Sequence, residues 1–279
     1  MAADGRLTIR DHDRDAAGMR YLYPVASRRA GGLSVGVNLN PNNACNWRCC
    51  YCQVPDLRRG RAPRIDLALL EAECGALLRE VVEGDLLARR LPPGMQRLCD
   101  VALSGNGEPT STPQFPEVVA LLAEQMERFG LDGVPLRLIT NGSYAGKRWV
   151  QRGVARMAAR GGEVWAKVDA GGRADARRIN GVSITADRVV WQVERLAARC
   201  PTWVQSCMVV ASDGAPPGEA FIDRYLRLLE RLVGVVEGVL LYAPARPSHQ
   251  ERVAAPPRDW LDALAGQIGA LGLAVRVVP

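Results

Sequence analysis

From Leu33 onward the chain alternates short, continuously apolar runs with longer segments in which apolar residues recur at helical spacing. The short runs have the length of buried strands, and the longer ones carry the stripe of a helix lying on a core. Strands are predicted at 33–39, 99–104, 136–140, 163–169, 203–210 and 237–243, with a terminal strand from Leu273 to Val278. Helices are predicted at 66–88, 115–129, 147–160, 186–199, 218–233 and 258–271. In the first of them Leu67, Leu69, Leu70, Leu77, Leu78 and Val81 supply the apolar face. Strand and helix alternate about six times, which predicts an α/β fold with a parallel sheet that is curved or closed. Residues 1–31 are polar and rich in Arg and Asp, with a small apolar patch from Tyr21 to Val25 and a Gly31-Gly32 break. They are predicted as an N-terminal extension (1–32) ahead of a single domain over 33–279.

Strand parity adds a prediction about the interior, because alternate residues face opposite sides of a sheet. Val164, Ala166 and Val168 suit the helix-facing side, which turns Trp165, Lys167 and Asp169 inward. The same parity turns Gln205 and Cys207 inward, and with them Ser34, Gly36, Asn38 and Asn40. Polar residues inside a barrel serve either a ligand or a structural network.

Composition narrows the class. Hydrophobic residues make up 48% of the 279 and charged residues 24%, which is ordinary for a globular chain with a sizeable core. No apolar run reaches the roughly 18 residues of a membrane span, and Met1 to Gly5 opens no signal-peptide core, so a cytoplasmic protein without a membrane partner is expected. The net charge is +6, and among 36 basic residues only Lys147 and Lys167 are lysine. Arg58, Arg59, Arg61 and Arg64 cluster in one loop, and Arg152, Arg156 and Arg160 share a helix face. Such patches hold phosphates, RNA backbone included, or are simply solvated. Of the two histidines, His12 has no chemical partner in view and His249 lies near the predicted strand ends.

The chemistry concentrates in the loop after the first strand, where Cys45, Cys49, Cys50 and Cys52 fall close together. Cys45, Cys49 and Cys52 form C-x3-C-x2-C. Three thiolates at this spacing can hold one cubane iron–sulfur cluster and leave one iron open, since such a cluster takes four ligands. A zinc site completed by a distant fourth ligand is the alternative. Cys50 is left over as a bystander thiol. The scattered Cys74, Cys99, Cys200 and Cys207 suit a reducing compartment better than a disulfide framework.

With Tyr51 just before its last cysteine, this loop resembles the signature of the radical S-adenosylmethionine (SAM) superfamily. The resemblance implies a partial (β/α)6 TIM-like barrel, a [4Fe-4S] cluster on Cys45, Cys49 and Cys52, and SAM chelating the fourth iron. Ser104-Gly105-Asn106-Gly107-Glu108-Pro109-Thr110, one β/α unit later, is similar to the motif that cradles the methionyl amino group of SAM in that family, with Asn106 standing where a glycine is usual. Two glycines let backbone come close to a neighbour, and a carboxylate at a strand end accepts from an ammonium. By resemblance, Lys167, Asp169 and Gln205 occupy positions that contact the SAM ribose or carboxylate, and Asn141 and Arg246 belong to the same rim. Lys167 has two further readings, a Schiff-base lysine or the ion-pair partner of Asp169.

The cysteine loop, Ser104 to Thr110, Lys167 to Gly171, Arg177 to Asn180 and Ala243 to Pro247 together look like a narrower group, the bacterial proteins related to wyosine-tRNA synthases. Those enzymes carry a second cluster on upstream cysteines. No cysteine precedes Cys45, so the complete wyosine reaction is not expected. What the resemblance implies is reductive SAM cleavage fed by a flavodoxin- or ferredoxin-type reductant, with a 5′-deoxyadenosyl radical taking hydrogen from a substrate. An RNA nucleoside, a protein or peptide, and a small metabolite are the candidate substrates. A non-catalytic iron–sulfur or zinc-binding module is the competing class.

Overall fold

The structure is a computed structural model describing residues 6–9, 17–210, 214–250 and 252–278. His12 and parts of the predicted extension lie outside the described residues. Each predicted strand is present. The core strands are β2 (Gly32–Val37), β5 (Leu98–Leu103), β6 (Leu136–Thr140), β7 (Glu163–Lys167), β8 (Thr202–Cys207) and β9 (Gly238–Tyr242), all parallel, with β10 (Val275–Val278) parallel beyond β9. The connecting helices are α1 (Leu67–Val82), α3 (Phe115–Arg128), α4 (Arg148–Ala158), α6 (Ala186–Ala197), α7 (Glu219–Glu230) and α8 (Arg258–Ala270). Sheet order follows chain order, so the expected partial (β/α)6 TIM-like barrel is the observed fold. Among the described residues no helix is long and apolar enough to cross a membrane.

Three elements differ from the sequence pattern. The patch from Tyr21 to Val25 belongs to β1 (Leu22–Ser27), which pairs antiparallel with β2 and extends the sheet to eight strands. Pro24 within it is tolerated because an edge strand leaves one side of its backbone unpaired. The predicted helix over 66–88 stops at Val82 and resumes as the short α2 (Leu86–Arg90), because Gly84 and Asp85 are poor helix formers near its C-terminal end. An unpredicted helix, α5 (Arg173–Asn180), contains only Ala176 and Ile179 as buried apolar residues, too few to show a period, and it ends on Gly181 at φ +65°.

Two apolar clusters straddle the sheet. The large one lies between strands and helices and takes Val164, Ala166 and Val168; the small one, Trp165, Trp203 and Leu240 with Ile139 against it, fills part of the barrel interior. The predicted parity of the strands therefore holds. Short two-stranded pairing between β3 (Ala44–Cys45) and β4 (Arg58–Arg59) gives the cysteine loop its own frame.

Phe115, at the start of α3, is fully buried against Gly153 of α4, where an added Cβ would lie 2.3 Å from the ring. Phe115→Ala is expected to cost about 3–5 kcal/mol of unfolding free energy through the cavity it leaves, read as a lower denaturation midpoint in urea at unchanged slope.

Candidate functional site

The C-terminal strand ends open into a cavity of about 280 Å³ whose wall includes Cys45, Cys49 and Cys52, together with Tyr51, Gly105, Asn106, Gly107 and Glu108. Asn141, Lys167, Gln205 and Arg246 line the same cavity. Pro109 lies just behind it as the first residue of a 3-10 turn (Pro109–Ser111), and Asp169 is buried beneath the cysteine loop. Residues taken from six separate stretches of sequence thus reach one place.

The cysteine loop is fixed from three directions. Asn180 at the end of α5 accepts from the Arg48 backbone N–H, and Ile179 accepts from that of Cys50. After β9, Ser248 Oγ donates to the carbonyls of Cys50 and Cys52, and the His249 N–H donates to Cys52 at 2.9 Å. His249 itself is exposed, so its backbone rather than its imidazole serves the rim. Arg59 reaches across to the carbonyls of Asn46 and Gly181.

The third direction is Asp169. Its fully buried carboxylate accepts from the Tyr51 hydroxyl, from Asn180 Nδ2 at 2.7 Å and from the Cys207 N–H at 2.8 Å, and pairs with Lys167 Nζ at 3.3 Å. Asn180 Nδ2 also lies 3.4 Å from Cys49 Sγ. Burial works against the Lys167 ammonium, yet Asp169, Tyr242 and Cys207 outweigh it and hold its pKa above the ordinary lysine value. Lys167 therefore stands as a cation, which favours the ion-pair reading over a Schiff base. Its Nζ donates to the Tyr242 hydroxyl at 2.8 Å.

The glycine turn works differently from the sequence argument. A Cβ on Gly105 would meet Asn38 at 2.4 Å, and one on Gly107 would meet the Ala44 carbonyl at 2.0 Å. The glycines thus let this turn lie directly on the cysteine loop; Gly105 also needs its φ of +155°. Asn106, placed where a glycine is usual, donates through its side chain to Asn43 and through its N–H to Asn38. Asn43 holds φ +54° with its own amide on the Pro55 carbonyl, a local strain that this network supports.

Glu108 is buried and joins two strand ends. Its Oε1 accepts from the Thr110 N–H and hydroxyl and from Thr140, and its Oε2 from the Asn141 N–H at 2.7 Å. Burial raises its pKa, and these hydrogen bonds oppose the rise. Oε2 keeps lone-pair capacity toward the cavity. Asn141 Nδ2 in turn holds Asn46 at 2.9 Å.

Burial pushes Cys45 to about 12 and Cys49 to about 11, so both are neutral thiols until a cation draws off their protons. Among the described residues no three Cys, His, Asp or Glu side chains converge on a single-ion position. The three thiols line one cavity, and together they are the donor set for three corners of a cubane cluster. Sequence reasoning passed over Tyr242 and Arg29, neither of which stands in a motif; only the fold brings them to the cavity.

No protein-family model matches the sequence, and no curated protein does. Solved structures share the fold. A radical SAM methyltransferase from Sphaerobacter thermophilus aligns with a TM-score of 0.62 and 16% identity over 88% of this chain and 66% of its own. SuiB of Streptococcus suis, bound to precursor peptide SuiA, aligns at 0.57 and 11% identity over 89% of this chain and 48% of its own; SuiB is also known bound to SAM. A point mutant of spore photoproduct lyase aligns at 0.52 and 11% identity over 85% of this chain and 74% of its own. The chain spans about half the length of SuiB. The fold is therefore of the radical SAM type.

Because Asp169 offsets a buried lysine and anchors the loop, Asp169→Ala is expected to cost about 3–5 kcal/mol, with cleavage in the 45–52 segment by added protease rising more than elsewhere. Denaturation in urea and mapping of the first proteolytic cut measure both.

Proposed function

We propose that this protein is a radical SAM enzyme. The observation that carries the reading is the convergence, on one cavity at the strand ends of a radical SAM-type barrel, of Cys45, Cys49 and Cys52 with the Gly105–Glu108 turn. A [4Fe-4S] cluster would be held by those three thiolates, and SAM by the open iron and the neighbouring turn. With both bound, the site supplies reductive cleavage of SAM to a 5′-deoxyadenosyl radical.

The chain's own groups have definable tasks in this reading. Glu108 Oε2 accepts from the methionyl ammonium, the Asn106–Glu108 backbone lines that end of the cofactor, and Lys167, Asn141 and Arg246 offer donors to its carboxylate and ribose. Tyr51 and Asn180, both held by Asp169, fix the loop so that its thiolates do not wander. The enclosed wall keeps water from a reactive intermediate. A flavodoxin- or ferredoxin-type protein is the proposed electron source, approaching the loop at the exposed Arg48 side.

The narrower kinship with proteins related to wyosine-tRNA synthases rests on motifs alone, and it suggests an RNA nucleoside as substrate, with a peptide or small molecule as alternatives. Several arginines of the two basic patches are engaged internally rather than free for an RNA backbone: Arg156 on the Pro116 carbonyl, Arg160 on Leu131 and Asp132, Arg59 on the cysteine loop.

Anaerobic reconstitution with iron and sulfide, followed by dithionite and SAM, is expected to yield 5′-deoxyadenosine by chromatography. Cys45→Ala, Cys49→Ala or Cys52→Ala should drop the yield to background, whereas Cys50→Ala should retain it. SAM left uncut by an intact reduced cluster would make the protein a metal-stabilised binding module instead.

A further inference from the structure

The barrel interior holds a second constellation to which the proposed function gives no task, and it includes Gln205, expected from the resemblance at the SAM ribose or carboxylate. The turn between β1 and β2 carries Arg28 and Arg29, both half-buried and both lining the cavity. This hairpin reaches across the open side of the barrel: Arg28 donates to the Ala243 carbonyl just past β9 at 3.1 Å. The Arg29 guanidinium lies 5.8 Å from the Trp165 ring centroid and 5.1 Å from that of Tyr242, whose other neighbour is the Lys167 ammonium at 5.0 Å. Three cations thus gather around Tyr242.

Their compensation is incomplete. Lys167 has Asp169, and the nearby Arg137 is matched by Asp100 and Glu163. Among the described residues, neither Arg28 nor Arg29 meets a carboxylate. Arg28 is held below its ordinary pKa, by burial first and by the like charge of Arg29 second. Facing the same cavity from β8 is Gln205, 1% exposed, whose Nε2 finds no hydrogen-bond partner. A buried amide donor left unsatisfied is destabilising, and two adjacent guanidinium groups repel. One bound anion would relieve all three.

This place runs from the rim inward. Gln205 and Tyr242 pair across the sheet with the rim residues Lys167 and Cys207, and Trp165 precedes Lys167 by two positions on its strand, which is about 6–7 Å toward the barrel floor at ~3.3 Å per residue. We infer that the substrate of this enzyme is a small molecule, or a small moiety, with a planar ring and a carboxylate or phosphate, its anionic group received by Arg28, Arg29 and Gln205 and its ring by Trp165 and Tyr242. This deepens the proposed function and rests on it for the word substrate, although the anion site itself stands on the cavity alone. The hairpin that β1 adds to the sheet becomes a binding element as well as an edge.

The test is calorimetric titration of the purified full chain, without cluster or SAM, with benzoate, phenyl phosphate and neutral benzamide. At least one of the two anions should bind about tenfold or more tighter than benzamide, and Arg29→Gln should weaken that anion by about tenfold, the worth of one charge-assisted hydrogen bond. Gln205→Leu should weaken it in the same direction, with melting temperatures of both variants near that of the parent. Which anion binds better distinguishes carboxylate from phosphate. In the reconstituted protein, saturating SAM should leave the anion in place. Equal binding of benzamide, no binding of either anion at millimolar concentration, indifference to Arg29→Gln, or displacement of the anion by SAM would each overturn the inference. Because the readout needs no SAM cleavage, a chain that cuts SAM but ignores the anions loses this inference and keeps the proposed function.

Discussion

One buried carboxylate ties the molecule's chemistry to its fold. Asp169 sits two residues past the end of β7 with its side chain wholly enclosed; besides its neighbour Lys167 it joins three other parts of the chain, Tyr51 of the cysteine loop, Asn180 of α5 and the Cys207 backbone at the end of β8. A charge removed from water is tolerable only if paired and hydrogen-bonded on most of its lone pairs, and here it is. Disorder in the loop therefore takes the Tyr51 hydrogen bond from a buried carboxylate. The thiols at the rim are held in place by a strand end that carries no thiol of its own.

The same closeness of contact explains the glycine turn. Gly105 and Gly107 are glycines because Asn38, Asn40 and Ala44 occupy the space where side chains would be. Loop lies on loop, and the asparagines fill the seam: Asn38 receives Asn106, Asn43 receives Asn106 from its other end, and Asn46 receives Asn141. Cofactor-sized space at the rim exists because these polar seams replace bulky packing there, while the barrel floor is closed by Trp165, Trp203 and Leu240.

Much of this was legible in the order of residues. Period and run length located the six parallel strands and their helices, since a β/α unit buries its strand on both faces and leaves a continuous apolar signature. Parity then put Lys167, Gln205 and Cys207 in the interior without any structure. What stayed hidden depends on tertiary partners. β1 is short, interrupted by Pro24 and follows a polar stretch, so only its pairing with β2 shows it to be a strand. α5 has two buried apolar residues, yet its Asn180 is the link between Asp169 and Cys49. Arg28 and Arg29 read as two more arginines in an arginine-rich chain until the hairpin turn carries them over Tyr242.

The central claim is that Cys45, Cys49 and Cys52 hold one cluster with an iron open to SAM beside Glu108. Electron paramagnetic resonance of the reconstituted, dithionite-reduced protein tests it most directly, with iron and sulfide quantified in the same sample. The account predicts about four irons per chain, a signal from one reduced [4Fe-4S] cluster, and a change in that signal when SAM is added. Zinc in place of iron, or a cluster signal indifferent to SAM, would contradict it.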